Sequence, residues 1–191
     1  MNDETNIIRY QLDAGQSRFT VQAFASGLLS GLGHNPIIGI RDFTGEAQCA
    51  PGTLANASLR LAINPGSLIV LDDIKEKDRQ EIERAMHNDV LETARYPEII
   101  FESANIAATR IVAGRYKARI VGDLTLHGVT RNALWIQAQV NVNEDGLSAQ
   151  GEFTLKQTDY GIKPVSFAGG ALKLKDELKF SFDVIGHKEQ G

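Results

Sequence analysis

The sequence of 191 residues predicts a mainly β protein, an antiparallel β-barrel with one α-helix packed nearby. Apolar and polar residues alternate with a period of two along most of the chain, which is typical of half-buried strands. Eighteen glycines against five prolines suit a chain that turns often. A chain of this length buries roughly 70% of its unfolded surface, so residues 1–191 are expected to fold as one domain without disulfides or a structural metal.

Five strands are predicted between the N-terminus and the middle of the chain. Each is a short run rich in β-branched or aromatic residues, and polar links separate most of them. Many short strands in succession are typical of a sandwich or an antiparallel barrel. The five strands cover residues 8–13, 18–25, 37–47, 55–63 and 98–107.

The clearest alternation predicts three consecutive strands that form a meander. Residues 118–126 place their apolar side chains on even positions, and the same pattern resumes in residues 134–142 after a turn at 127–128. A second turn at 144–146 leads into residues 147–155, where the apolar side chains fall on odd positions.

The last predicted strand, residues 172–185, favours closure of the sheet. It is long and amphipathic, and a free edge on such a strand would invite aggregation. Pairing on both of its edges would remove that hazard, so the sequence predicts a barrel rather than an open sheet. Its apolar face carries Leu178, Phe180, Phe182 and Val184.

One segment breaks the strand pattern and predicts an α-helix over residues 72–93. Its apolar residues recur at helical spacing. Asp73 and Glu76 are spaced as a capping pair at its N-terminus, and Arg79 and Glu83 as an opposite-charge pair one turn apart.

Charge and composition exclude several classes of function. A net charge of −4 gives no basic face for duplex nucleic acid. No stretch approaches the ~20 consecutive apolar residues of a spanning helix, so the protein is not expected to be integral to a membrane. The first twenty residues lack a basic region followed by an apolar run, so a cytoplasmic protein is expected. The single Cys49 excludes a disulfide scaffold.

The sequence shows no pattern typical of catalysis or metal binding. The four histidines lie far apart and have none of the spacings of metal ligands. The glycine-rich run at 27–33 lacks the GxGxxG spacing of a dinucleotide site, and no serine stands in a GxSxG frame. We therefore expect neither an enzyme nor a bound metal or cofactor.

Alternate inward positions of the strands are expected to line the barrel or a cavity inside it. A barrel of this strand number can fill its interior with side chains or enclose one ligand, and the alternation leaves both open. A filled barrel would act as a protein-interaction module that docks through the helix and residues 27–36. The inward positions are Phe19, Val21, Phe43, Leu59, Phe101, Ile120, Leu124, Leu134, Ile136, Phe153, Phe180 and Phe182.

Four motifs stand in order along the chain. RDFTG at 41–45 is followed by DVL at 89–91, which leads through Tyr96 and Pro97 to Phe101 and Ser103. GDLTLHGVTR occupies 122–131, and DYGI occupies 159–162. Together these motifs resemble those of the YceI-like family of lipocalin-like, polyisoprenoid-binding proteins.

The resemblance implies an extended antiparallel lipocalin-like barrel whose hydrophobic interior accepts a long isoprenoid or fatty chain. The implied function is binding, storage or transport of that amphiphilic lipid without a chemical reaction. No other partner is implied, and a homodimer is left open. Gln157 stands where the family frequently has an arginine, so the polar contacts are the part that the resemblance transfers least.

Polar recognition of a lipid headgroup is predicted at the barrel mouth, near the glycine-rich segment and the helix. Loops held by a rigid scaffold are where ligand-contacting residues concentrate. His34 and Asn35 follow the glycines, and Arg79 lies on the helix. All three could donate hydrogen bonds to phosphate or carbonyl oxygens, although simple turn and surface roles are the alternative for each.

Overall fold

Eight antiparallel strands close into a barrel in the computed structural model of the chain, which describes residues 7–26, 35–143, 146–167 and 172–189. The predicted mainly β barrel with one helix is thus confirmed. The strands are β1 (Ile8–Leu12), β2 (Arg18–Gln22), β3 (Ala25–Ser26), β4 (Ile37–Ile40), β5 (Phe43–Cys49), β6 (Ser58–Ile63), β7 (Ile69–Val70), β8 (Ile99–Val112), β9 (Arg115–Leu126), β10 (Val129–Val142), β11 (Gly146–Lys156), β12 (Ser166–Phe167), β13 (Leu172–Leu174) and β14 (Glu177–Lys188).

Closure depends on β14, which is paired on both edges. The ring runs β1–β5–β6–β8–β9–β10–β11–β14 and returns to β1. Along one edge β14 pairs with β11 over its whole length. Along the other edge, its first half pairs with β2 and its last residues pair with β1. Both edges of β14 are therefore covered. From β2 a branch continues to β4 and β7, and β3, β12 and β13 form a small second sheet.

The predicted meander is confirmed in β9, β10 and β11. Ala118 and Ile120 of β9 are buried, whereas Lys117 and Arg119 between them are exposed. The turn between β9 and β10 contains His127 and a glycine, both with positive φ (52° and 72°). That backbone matches the twist of a tight hairpin.

Two predicted strands are interrupted at an aspartate that hydrogen-bonds to a segment distant in sequence. Residues 37–47 divide into β4 and β5, and between them Asp42 accepts a hydrogen bond from Asn64 and donates its N–H to Ser67 Oγ. Residues 172–185 divide into β13 and β14 at Asp176, whose carboxylate accepts hydrogen bonds from the N–H and hydroxyl of Thr158. The predicted strand 18–25 also ends early, at the end of β2, and residues 25–26 join the small sheet as β3.

The helix α1 (Glu76–Ala85) is shorter than predicted and is followed by one π-helical turn, Met86–Val90. Asp72 cannot begin it, because its carboxylate accepts a hydrogen bond from the Ile37 N–H. The predicted Asp73 cap is wrong: the N-cap position is Lys75, with no side-chain hydrogen bond.

The core contains two clusters of buried side chains. The larger lies between β8, β9, β10 and β11, and the smaller between β2, β4, β5 and β7. Aromatic rings on β14 connect them: Phe180 stacks on Phe153 with centroids 4.8 Å apart, and Phe182 meets Phe19 edge-on at 6.2 Å.

We expect Gly122→Ala to destabilise the barrel by about 1–3 kcal/mol, the usual cost of overpacking. A Cβ at this inward position of β9 would overlap the Glu102 carbonyl oxygen and lie 2.6 Å from Cζ of Phe101. Urea unfolding measures the loss. Gly15→Ala is the matched control, because its new methyl would meet only one side-chain oxygen, Asp13 Oδ1 at 3.2 Å, on an exposed turn. Equal stability of the two variants would contradict this account of β9 packing.

Candidate functional site

The interior of the barrel contains a cavity of about 560 Å³. Apolar side chains form nearly all of its wall, and β9 contributes lining residues from Ala118 to Leu126. At about 3.3 Å per residue, that span corresponds to a path of about 26 Å along the strand. The cavity is therefore elongated, and it lies within the size range of small-molecule sites.

The inward residues predicted from the sequence lie on the cavity wall, with Phe43 as the exception. Phe43 is buried at 5% exposure, but its ring packs edge-on against Phe19, 6.5 Å away, in the smaller core cluster. Phe19 itself faces the cavity, so Phe43 supports the wall from behind. The residues that line it are Phe19, Val21, Leu59, Phe101, Ile120, Leu124, Leu134, Ile136, Phe153, Phe180 and Phe182.

The end of the barrel that carries α1 is covered by this helix. Ile82 and Met86 of the helical segment, followed by Leu91, line the cavity. These residues were not predicted to line it, although their helical spacing marks the apolar face that must pack on the barrel.

Two side chains of α1 hold the helix on β7. Glu83 Oε1 accepts the Val70 N–H at 2.8 Å. Arg79 donates to the carbonyl oxygens of Val70 and Asp72, the latter at 2.9 Å. Both charged groups therefore bind backbone, which replaces the predicted ion pair between them.

Of the three predicted headgroup residues, the two that the structure describes, Asn35 and Arg79, do not line the cavity. Arg79 anchors the helix, as above, and Asn35 Oδ1 accepts the Ala25 N–H at 2.8 Å on the surface. His34 lies outside the described residues.

The polar groups that do reach the cavity were missed. At the end opposite α1, Gln48 Nε2 donates to Ser58 Oγ at 2.8 Å. At the α1 end, Gln157 is 4% exposed and donates to the Lys175 carbonyl at 3.0 Å. The strand pattern contains no signal for Gln157, because its burial depends on a contact with a distant segment.

The end opposite α1 is closed by the loop between β5 and β6. Leu54 of this loop is buried and lines the cavity. The Tyr116 hydroxyl donates to the Gly52 carbonyl at 2.8 Å and holds the loop against β9.

Two of the motifs meet beside α1. His127 Nε2 lies 2.8 Å from Glu92 Oε2, and the Tyr96 ring packs on the His127 ring with centroids 4.4 Å apart. These contacts join the segment after the helix to the β9–β10 turn, so the motif residues position the cover of the cavity.

Burial controls the chemistry of Cys49, which lines the cavity and is 1% exposed. Burial raises the pKa of its thiol, and a hydrogen bond from Tyr10 offsets part of that rise. The pKa of Tyr10 is raised as well, first by burial and then by the neighbouring thiol. Both groups are therefore neutral near pH 7, and the thiol is a poor nucleophile.

Two features are absent from the described residues: a cluster of metal-ligating side chains and a helix that could cross a bilayer. No three side chains of His, Cys, Asp or Glu type cluster there as metal ligands. No helix in the described ranges has the length and apolar character needed to cross a bilayer.

We expect a charged disulfide reagent to modify Cys49 at least about tenfold more slowly in the native protein than in urea at pH 8, since the folded thiol is buried and protonated.

The same thiol makes stability depend on pH. Because the pKa of the Cys49 thiol is raised in the folded protein above the unfolded value of about 8.5, deprotonation favours the unfolded chain. Stability is thus retained below that pH and lost as pH rises toward the folded pKa. Cys49→Ala should flatten the alkaline part of a plot of unfolding free energy against pH, and an unchanged slope would contradict the assignment.

Comparison with known proteins agrees with this geometry. The model of the YceI-like domain matches residues 10–185. Proteins named UPF0312 from Pseudomonas savastanoi pv. phaseolicola and Pseudomonas syringae pv. syringae are each 29% identical over 175 residues, which cover 87% of this chain and 82% of the relative.

Solved structures share the fold at low sequence identity. BcnA of Burkholderia cenocepacia superposes with a TM-score of 0.68 at 16% identity, covering 91% of this chain and 98% of its own. A polyisoprenoid binding domain from Saccharophagus degradans has a TM-score of 0.66 at 16% identity, covering 94% and 98%. With the family match extending over nearly all of the barrel, the chain belongs to the YceI-like domain family.

Proposed function

We propose that the protein binds one long-chain amphiphilic lipid, an isoprenoid or a fatty chain, inside the barrel, and that it stores or carries this lipid without converting it. The observation that supports this is the elongated apolar cavity. The likeness to a polyisoprenoid binding domain supports the same class of ligand.

The dimensions of the cavity favour a single tail. A volume of about 560 Å³ that extends along a path of about 26 Å suits one elongated hydrocarbon tail. Shape would then select tails by length and branching.

The driving force is removal of the tail from water. Burial of apolar area is favourable by roughly 25 cal/mol per Å². A cavity that is already formed when the ligand arrives would lose less of this gain to ordering of the protein. A filled barrel would have no such space, and the cavity therefore weighs against the interaction-module alternative.

The polar groups facing the cavity suit binding rather than catalysis. Gln48 and Ser58 hydrogen-bond to each other, and Gln157 is bound to a backbone carbonyl. An amide or hydroxyl can orient a headgroup, but neither is a general base. We place the headgroup at one of these two ends, with Gln157 as the polar group nearest the helix.

The direct test is mass spectrometry of an organic extract of the natively purified protein. A tightly held lipid should be recovered at a constant ratio to protein and should be absent from a mock purification. A clean extract, together with no uptake of fluorescent long-chain probes, would refute the proposal.

We expect Leu124→Trp and Ile136→Trp to lower affinity for a fluorescent long-chain probe at least about tenfold while the fold is retained, because the added ring volume occupies the cavity. Gln137→Trp adds the same ring next to Ile136 on the exposed face of β10 and should bind as the unmodified chain does. If the free energy of unfolding of the inward variants instead falls by about 1–3 kcal/mol while probe binding is unchanged, the core is filled.

A further inference from the structure

The β8–β9 hairpin has a charge opposite to that of the whole chain. Residues 103–122 contain four cations and no aspartate or glutamate, whereas the chain has 20 cationic against 24 acidic side chains. This segment is therefore positively charged within an acidic protein, and it is called the basic arm below. Its cations are Arg110, Arg115, Lys117 and Arg119.

These cations are exposed and have no acidic partner in the part of the chain that the structure describes. Arg115 contacts only the neutral Asn141 side chain, at 3.3 Å. Lys117 faces solvent between Thr109 and Gln139 on the adjacent strands. With uncharged neighbours on both sides among the described residues, the charge of Lys117 is available to a partner.

The tip of the basic arm is apolar. Ile111 and Val112 are 54% and 55% exposed and are the most exposed aliphatic side chains among the described residues. The turn that follows them ends at Gly114, whose φ is 73°. Two adjacent aliphatic side chains at a hairpin tip, next to cations, form an amphipathic surface rather than isolated exposed residues.

The tip is exposed because one edge of β8 loses its neighbour. β6 pairs with β8 only from Ile99 to Glu102, and a bulge follows between Ser103 and Asn105. Beyond it, β8 is paired with β9 alone. The basic arm therefore continues past the paired part of the wall.

We propose that the basic arm docks the protein on an anionic lipid bilayer, with the cations at the headgroups and Ile111 and Val112 inserted at the acyl boundary. Surface binding of this kind combines apolar burial with attraction to anionic lipid. Each cation near such a surface raises partitioning roughly fivefold. The aliphatic tip favours a bilayer over nucleic acid, whose phosphate backbone offers it no apolar contact. The proposal makes no use of the cavity, so it stands or falls separately from the proposed function.

The first experiment measures co-sedimentation of the full chain with vesicles. Phosphatidylcholine vesicles with about a third phosphatidylglycerol should bind the protein, and pure phosphatidylcholine vesicles should not. Binding should weaken strongly between about 0.1 M and 1 M salt, where screening shortens from about 10 Å to 3 Å. Equal binding to both vesicles, or none to either, overturns the proposal.

Charge variants then distinguish the effect of the basic arm from the effect of the net charge of the whole chain. Arg115→Gln/Lys117→Gln should lower partitioning roughly 25-fold, because both cations lie within about 10 Å of the tip. Lys156→Gln/Lys163→Gln removes the same net charge from exposed positions outside the basic arm and should have little effect. Equal losses in the two double variants would show that only net charge acts, which contradicts a docking surface on the basic arm.

Two further variants test the contribution of the apolar tip to vesicle binding. Ile111→Ser/Val112→Ser should lower partitioning at least about tenfold, whereas Ile69→Ser, at an aliphatic position 37% exposed on β7, should not. If the unmodified chain is instead a dimer that Ile111→Ser/Val112→Ser dissociates, with no vesicle binding, the tip serves a second copy and the proposal is wrong.

Fluorescence locates the docking surface. The single tryptophan, Trp135, lies on β10 about 23 Å along the strand from Val142, which is beside the turn of the basic arm. Its emission should be unchanged by anionic vesicles. Val112→Trp in a Trp135→Phe background should shift to the blue under the same conditions. A shift of Trp135 in the unmodified chain, with none at position 112, would place the contact elsewhere and refute the proposal.

Discussion

Pairing of β14 on both edges is the constraint on which the rest of the structure depends. One edge is covered by β11, and the other is shared by β2 and β1. Between those two partners the Ile185 N–H is bound by Ser17 Oγ and its carbonyl by the Asp13 N–H, so the coverage is continuous. Because two strands share one edge, the wall divides at β14, and one branch ends at β7. That branch end is where α1 is attached.

The interior is hollow because small residues face inward, and not only because the sheet closes into a barrel. β9 and β10 place Ala118 and Ala138 inside at paired positions, where larger side chains would meet. Further along, Gly122 is covered by the Phe101 ring. Small residues thus leave space at these positions, and the cavity extends along side chains of both core clusters.

The parts of the fold that could be predicted from sequence are those decided locally. Period-two alternation identifies the faces of β9, β10 and β11, and hence most of the cavity wall, because each residue's side follows from its neighbours. The breaks at Asp42 and Asp176 could not be predicted this way, since each depends on a side chain or backbone group distant in sequence. The role of Arg79 was missed for the same reason: donors suited to a headgroup are equally suited to backbone carbonyls. Alternation also predicts which face of the sheet a side chain is on, but not how much of the interior the side chains fill. It therefore could not distinguish a hollow barrel from a filled one.

Attachment of α1 to Val70 has a kinetic consequence. This residue is 1% exposed, and the helix binds both its N–H, through Glu83, and its carbonyl, through Arg79. Any path that moves α1 aside breaks both bonds together and leaves a buried N–H and a buried carbonyl oxygen unsatisfied until the helix returns. If the proposed ligand enters and leaves by displacing α1, that penalty belongs to the transition state and is the same in both directions. It would then lengthen the residence time of the ligand without changing its equilibrium affinity.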